Sequence, residues 1–243
     1  MKIAIITPYY KEPIEYLKKC HESVLAQEVT ADHFFVSDGH PVRELLDWNI
    51  KHVSLPNAHS DNGNTPRGIG GALAISEGYD FISYLDADNW FHPNHLSSLV
   101  DLYEKTHSTV CASFRTIHAL DGDELVGVQD GDEINLTHID TSCYLIHSNA
   151  FGLNEIWLKM PKILSPMCDR IFFRGVLHHK HRIASTRMKT LAFRSQYVTH
   201  YRLANKEPPV NAKETGGEEC AQYLLTIDGV IETVQRLGFY PVG

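Results

Sequence analysis

The chain has 243 residues, 43% of them hydrophobic and 21% charged, the composition of a water-exposed globular protein with a sizeable core. A net charge of -8 excludes general nucleic-acid binding, which relies on basic surface to neutralise phosphates, yet leaves room for a local basic pocket. No apolar run approaches the roughly 18 residues of a spanning helix, and Met1-Lys2-Ile3 leads into a strand pattern rather than a signal peptide, so no membrane span is expected.

Lys2–Thr7 is a short, β-branched apolar run, read as a strand buried on both faces and ended by Pro8. Pro13 suits a helix's first turn, with Ile14, Leu17, Val24 and Leu25 as its apolar stripe. His33–Ser37 and Lys51–Leu55 read as the next strands, the former stopped by Asp38-Gly39-His40-Pro41. A polar loop, Asn57–Arg67, leads into Gly68–Ser76, whose small residues predict a helix packed closely on a sheet. Asp80–Leu85 is a fourth strand and Asn94–Tyr103 a helix. Farther on, Thr109–Thr116 and Glu124–Gln129 predict a hairpin turning at Asp121-Gly122. Ile139–His147 predicts a strand, and Ser165-Pro166 starts a helix reaching about His181. Strand-like segments fill 183–200, Ala204–Glu219 reads as a mobile loop, and Cys220–Leu237 as a terminal helix. The five cysteines are dispersed without a C-x-x-C pair, the pattern of reduced thiols in a cytoplasmic protein.

Strand and helix alternate through the first 105 or so residues, which predicts βαβ units and a mostly parallel sheet. Ligands of such sheets bind beyond the carboxyl ends of the strands, where Asp38, Asp86 and Asp88 all fall. Asp86-Ala87-Asp88 is the most pointed of these features. Carboxylates at i and i+2 can both reach a hard cation, or one can cap the next helix while the other is solvated. An EF-hand would need Gly where Phe91 stands, and an aspartyl-phosphatase motif would follow the first strand with Thr in the place of Trp90. Asp121-Gly122-Asp123 and Asp130-Gly131-Asp132 lack calcium-loop spacing and read as turns.

The order of features resembles an inverting GT-A glycosyltransferase of family 2. The first strand ends in Thr7-Pro8-Tyr9-Tyr10, a helix ends near Ser23–Gln27, the second strand ends in Ser37-Asp38-Gly39, a small-residue helix follows Arg67, and Tyr84-Leu85-Asp86-Ala87-Asp88-Asn89 closes the nucleotide half. The sequence departs from the family's pattern at Tyr10-Lys11 and at His40. The resemblance implies a single α/β domain of the GT-A (nucleotide-diphospho-sugar transferase) fold, with a mostly parallel central sheet, helices on both faces and a smaller hairpin region. Within residues 1–243 it implies a nucleotide-binding half at 1–105, an acceptor half at 106–203, a mobile loop at 204–219 and a C-terminal helix at 220–243.

The function implied is metal-dependent, inverting transfer of a sugar from a nucleotide-diphosphate donor to an acceptor hydroxyl. A UDP-sugar is the first choice of donor, with GDP or dTDP as alternatives, and the acceptor is a carbohydrate, lipid-linked intermediate or protein. Asp88 would ligate Mn²⁺ or Mg²⁺ with His200, and Asp86 would face the donor. Thr7, Pro8, Tyr9 and Asp38 would line the nucleotide pocket, the Tyr9 ring packing on the base. Arg67 and a helix amino-terminus would face the diphosphate, with Arg202 a further phosphate contact. Asp169, early in a helix, would be the base, with Asp140 in reserve. Trp90 and Trp157 are candidate sugar platforms, while Phe172 and Phe173 read as core. Two rivals are a sugar-phosphate nucleotidyltransferase, which wants glycines in the place of Thr7–Pro13, and a non-catalytic nucleotide-sugar-binding module.

Overall fold

The structure is a computed structural model that describes residues 1–128, 135–214 and 217–241. The turn expected at Asp130-Gly131-Asp132 and the end of the expected strand at Gln129 lie outside them. In chain order the nucleotide half comprises β1 (Ile3–Tyr9), α1 (Ile14–Leu25), β2 (Asp32–Ser37), β3 (Lys51–Ser54), α2 (Asn64–Ser76), β4 (Phe81–Tyr84), β5 (Trp90–Phe91) and α3 (His95–Thr106). There follow β6 (Val110–His118), β7 (Tyr144–His147), α4 (Glu155–Lys159), α5 (Cys168–His178), β8 (Ile183–Arg194), α6 (Val198–Leu203), α7 (Glu218–Leu224) and α8 (Ile227–Leu237). All strands join one sheet in the order β3-β2-β1-β4-β7-β6-β8-β5. The pairings among β1 to β4 are parallel, whereas β7 runs antiparallel to both β4 and β6.

Strand alternation explains the helices on both faces. Ile6 and Val36 meet Gly70 of α2 on one face, while Thr7 and His33 touch Cys20 and His21 of α1 on the other. With both faces covered, β1 is buried along its whole length, as its unbroken apolar run predicted. The stripe of α1 is Leu17, Cys20, His21 and Val24, an i, i+3, i+4, i+7 set, and the expected Ile14 and Leu25 are exposed instead.

Several boundaries differ from expectation for identifiable reasons. Pro8 does not end β1: β4 pairs with it only as far as Ile6, so beyond that β1 has a single neighbour and Pro8's missing N–H leaves no gap in the ladder. α2 begins at Asn64 rather than Gly68, because the Asp61 carboxylate accepts from the Thr65 amide at 3.0 Å and starts the helix early. The hairpin shrinks to a turn with one bridge, His118 to Glu124, since β8 takes one edge of β6 along its length and β7 the base of the other. The strand expected from Ile139 starts at Tyr144, after a short turn of 3₁₀ helix at Thr141–Cys143. The helix expected from Ser165 begins at Cys168, after 3₁₀ turns. The terminal helix is two helices, broken where Thr226 accepts from the Gly229 amide and caps α8. Among the described residues of the expected mobile loop, Lys213 is pinned by its amide to the Gln196 carbonyl and by its carbonyl to the Val198 amide.

Candidate active site

A cavity of about 790 Å³, within the range of small-molecule sites, opens beyond the carboxyl ends of the parallel strands. Asp38 follows β2, while Asp86 and Asp88 follow β4; Arg67 comes from the first turn of α2 and Asp169 from the first turn of α5. His138 and Asp140 reach the same space from the segment before β7. Residues far apart in sequence thus share one wall-lined volume.

Asp38 is buried and fully engaged. One carboxylate oxygen accepts from the His59 amide at 2.8 Å and from its Nδ1 at 2.9 Å, and the other accepts from the Ser60 amide at 2.9 Å. Burial alone would raise its pKa, but these donors outweigh burial and hold it below the usual carboxylate range. The fold-back that delivers them depends on Gly39, at φ +80°, where a Cβ would lie 2.4 Å from the Ala58 nitrogen.

Arg67, almost wholly buried, donates from Nη2 to Asp86 Oδ1 at 2.7 Å and lies 4.8 Å from the Trp157 ring. Its charge is therefore shared with Asp86. The start of α2 lines the cavity with Gly63, Pro66 and Arg67, and there Asp61 accepts from both the amide and the hydroxyl of Thr65, at 3.0 and 2.6 Å. Arg202 lies elsewhere, exposed beside Glu214 at 3.6 Å.

Asp88 behaves differently from its neighbours. Burial, reinforced by the carboxylates of Asp86 and Glu12, pushes its pKa up to about 7. A group in that state gains most from a cation placed beside it. Among the described residues no three His, Cys, Asp or Glu side chains converge to hold a metal ion. His200 lines the same cavity as Asp88, with Nδ1 hydrogen-bonded to Ser195 Oγ at 2.7 Å. Two carboxylates on one wall nevertheless suit Mg²⁺ or Mn²⁺, hard cations that take their remaining ligands from water and substrate phosphates.

Asp169 Oδ2 meets His138 Nε2 at 2.5 Å, and Oδ1 accepts from the Arg170 amide at 2.7 Å. Burial would raise the Asp169 pKa, but the His138 hydrogen bond and charge outweigh it and lower it. Asp140, the reserve candidate, lines the same cavity but is more deeply buried than Asp169. Its carboxylate pairs with the buried Arg115, accepts from the Ser142 amide at 2.9 Å and caps the turn before β7.

Of the remaining expected residues, Pro8 and Tyr9 line the cavity, but the Tyr9 hydroxyl is hydrogen-bonded to His52 Nε2 at 2.7 Å and its ring is buried. Tyr10 is the exposed ring at this rim. Thr7 does not reach the cavity: its side chain points into the core, with Oγ1 2.8 Å from His33 Nε2. That follows from alternation, which sends Thr7 and Pro8 to opposite faces. Trp157 stacks on Phe172 in the core at 4.3 Å, and Trp90 lies under Lys19 Nζ at 3.4 Å, so neither is a sugar platform here. Sequence reasoning missed His59, His138, Arg115 and Lys213. Only His138 left a trace, two residues before an acid already singled out.

The structure of S. aureus TarS residues 1–349 superposes on this chain with a TM-score of 0.65 at 16% identity, covering 97% of this chain and 72% of the other. Its complex with UDP-GlcNAc gives a TM-score of 0.62 at 14% identity, covering 97% and 73%. At such identities the likeness shows the shared GT-A fold. Protein CgeD of Bacillus subtilis (strain 168) is 34% identical over an alignment of 110 residues that covers 41% of this chain. The chain spans only about a quarter of that relative's length. Residues 4–130, just over half the chain, match the family model described as glycosyl transferase family 2, and the chain belongs to that family.

Proposed function

We propose that this chain transfers a sugar from a nucleoside diphosphate donor to an acceptor hydroxyl, with inversion at the anomeric carbon. The observation that carries the reading is the meeting of Asp38, Asp86, Asp88, Arg67 and Asp169 round one cavity at the strand ends. UDP-GlcNAc is the donor to test first, because a structure of the same fold carries it. Residues 1–105 would hold the nucleotide and 106–203 the acceptor.

In the reaction the acceptor oxygen attacks the anomeric carbon, its proton passes to Asp169, and the bond from that carbon to the phosphate oxygen breaks. Asp38 and the loop it organises would bound the base, and Arg67 with Asp86 would fix the diphosphate side. A divalent cation held by Asp88 and Asp86 would stabilise the charge on the leaving diphosphate as a Lewis acid. Asp169 must be ionised at the moment of attack, and its lowered pKa keeps it so. The acceptor is a hydroxyl-bearing molecule small or flexible enough to enter beside His138. All five cysteines are free, which fits a reducing compartment such as the cytoplasm. No helix among the described residues is long and apolar enough to cross a membrane.

The test is calorimetric titration of UDP, GDP, dTDP and CDP, with and without Mn²⁺, into wild type and Asp88→Ala. Tight binding of one nucleotide that needs both Mn²⁺ and Asp88 is the expected result. Absence of binding under every condition refutes the reading. Binding without donor turnover makes the chain a nucleotide-sugar-binding module instead.

A further inference from the structure

We propose that His138 is the positioning residue of the catalytic base, holding Asp169 by one oxygen so that the carboxylate is aimed into the cavity. The inference rests on the assignment of Asp169 above and extends it to the residue that holds its carboxylate.

The geometry is that of a buttress. His138 Nε2 lies 2.5 Å from Asp169 Oδ2, and the His138 side chain is 4% exposed against 29% for Asp169. Both line the cavity, and the carboxylate is the more open of the two. Oδ1 accepts from the Arg170 amide at 2.7 Å, so the carboxylate plane is fixed from two directions. With both oxygens held, its orientation does not depend on side-chain rotamer chance, which base catalysis requires.

The other face of the imidazole makes the case stronger. Nδ1 of His138 is buried and has no hydrogen-bond partner among the described residues. Buried polar atoms are nearly always paired, and an apolar side chain of similar size would fill this position without leaving one orphaned. The unpaired Nδ1 is a cost that the bond to Asp169 must offset. What histidine adds is a donor aimed at Asp169.

The charges around the pair support an ionised dyad. Arg115 and Asp140 flank it as a second buried ion pair, and Cys168, Tyr144 and Tyr197 are the other titratable groups facing Asp169. Burial would lower the His138 pKa, but the Asp169 hydrogen bond and charge outweigh it and raise it. The same contact lowers Asp169. Activity is lost as pH falls through the Asp169 pKa, so removing His138 must move the acid limb of the profile upward.

The experiment compares wild type, Asp169→Asn, His138→Leu and His138→Gln, with UDP-GlcNAc turnover by water followed across pH. In His138→Leu, kcat should fall about tenfold or more and the acid limb rise, while the donor KM stays within about twofold. His138→Gln places an amide nitrogen near the same point and should recover most of kcat. Thermal melting shows whether each variant is folded. Independently of turnover, ¹⁵N-histidine NMR should show His138 titrating above the ordinary range in wild type and below it in Asp169→Asn. Identical His138 titration in those two proteins overturns the pairing. An unchanged kcat and acid limb in His138→Leu, with Asp169→Asn inactive, overturns this inference alone. An active Asp169→Asn overturns the base assignment and this inference with it.

Discussion

Gly70→Ala offers a sharp check on how α2 sits against the sheet. A Cβ at Gly70 would lie 2.5 Å from Ile6 Cγ2 and 2.9 Å from Val36 Cγ2. Both partners are fully buried and β-branched, so neither has a spare rotamer into which to retreat. Alanine in a helix gains about 0.8–1.0 kcal/mol over glycine. Overpacking a well-filled core costs about 1–3 kcal/mol, and contacts this short lie at the upper end. The net is a loss of about 1–2 kcal/mol, or about 2–8 °C in melting temperature for a domain of this size. Nucleotide affinity should fall too, since any outward shift of α2 carries Arg67 away from Asp86. Gly152→Ala is the control: no atom lies within 4 Å of its added Cβ, and its stability should change by less than about 0.5 kcal/mol. Calorimetric melting of both variants decides the matter. A Gly70→Ala protein as stable as wild type, or more so, would refute the close approach of helix and sheet.

Three further outcomes are expected. Asp88 has a folded-state pKa of about 7, so the folded protein retains a proton that the unfolded chain has released, and stability falls as pH rises from about 4 towards 7. Asp88→Asn should therefore be more stable than wild type at pH 8 by about 1–2 kcal/mol in chelator, and added Mn²⁺ should raise the wild-type melting temperature but not that of the variant. Asp38→Ala removes the acceptor of three hydrogen bonds, costing about 2 kcal/mol, and should speed amide hydrogen exchange at His59 and Ser60. Arg115→Met leaves the Asp140 carboxylate buried without its partner and should cost about 3–5 kcal/mol in urea unfolding, with much of that recovered in the double variant with Asp140→Asn.

Much of the nucleotide half was legible in the sequence because β1, β4 and most of β2 are buried on both faces and read as largely apolar runs. The close packing of α2 was legible as well, since only small residues fit where Gly68 meets Leu158 and Gly70 meets Ile6. Asp38, Asp86 and Asp88 were found by position alone, as acids just past strand ends. What stayed hidden was partnership. Nothing local says that His59 folds back onto Asp38, because that contact depends on the path of the 57–63 loop and on the positive φ at Gly39. Thr7 was placed in the pocket because strand-end reasoning locates a residue along the strand but not on a face. The break between α7 and α8 was marked by a capping threonine, Thr226, inside an otherwise helical pattern.

The reversed direction of β7 has a consequence for how such a site diversifies. Because β7 runs against β4, its beginning, not its end, lies beside Asp86, where Ser142 Oγ accepts from the Asp86 amide at 3.1 Å. The connection from β6 to β7, residues 119–143, therefore leaves and re-enters the sheet on the same rim as the nucleotide-half acids. Its length is not tied to the spacing of the core strands. Insertions, deletions or replacement in this excursion ahead of His138 would remodel one wall of the cavity and leave β1 to β4 undisturbed. Selectivity on that side is free to drift while the machinery opposite it stands still.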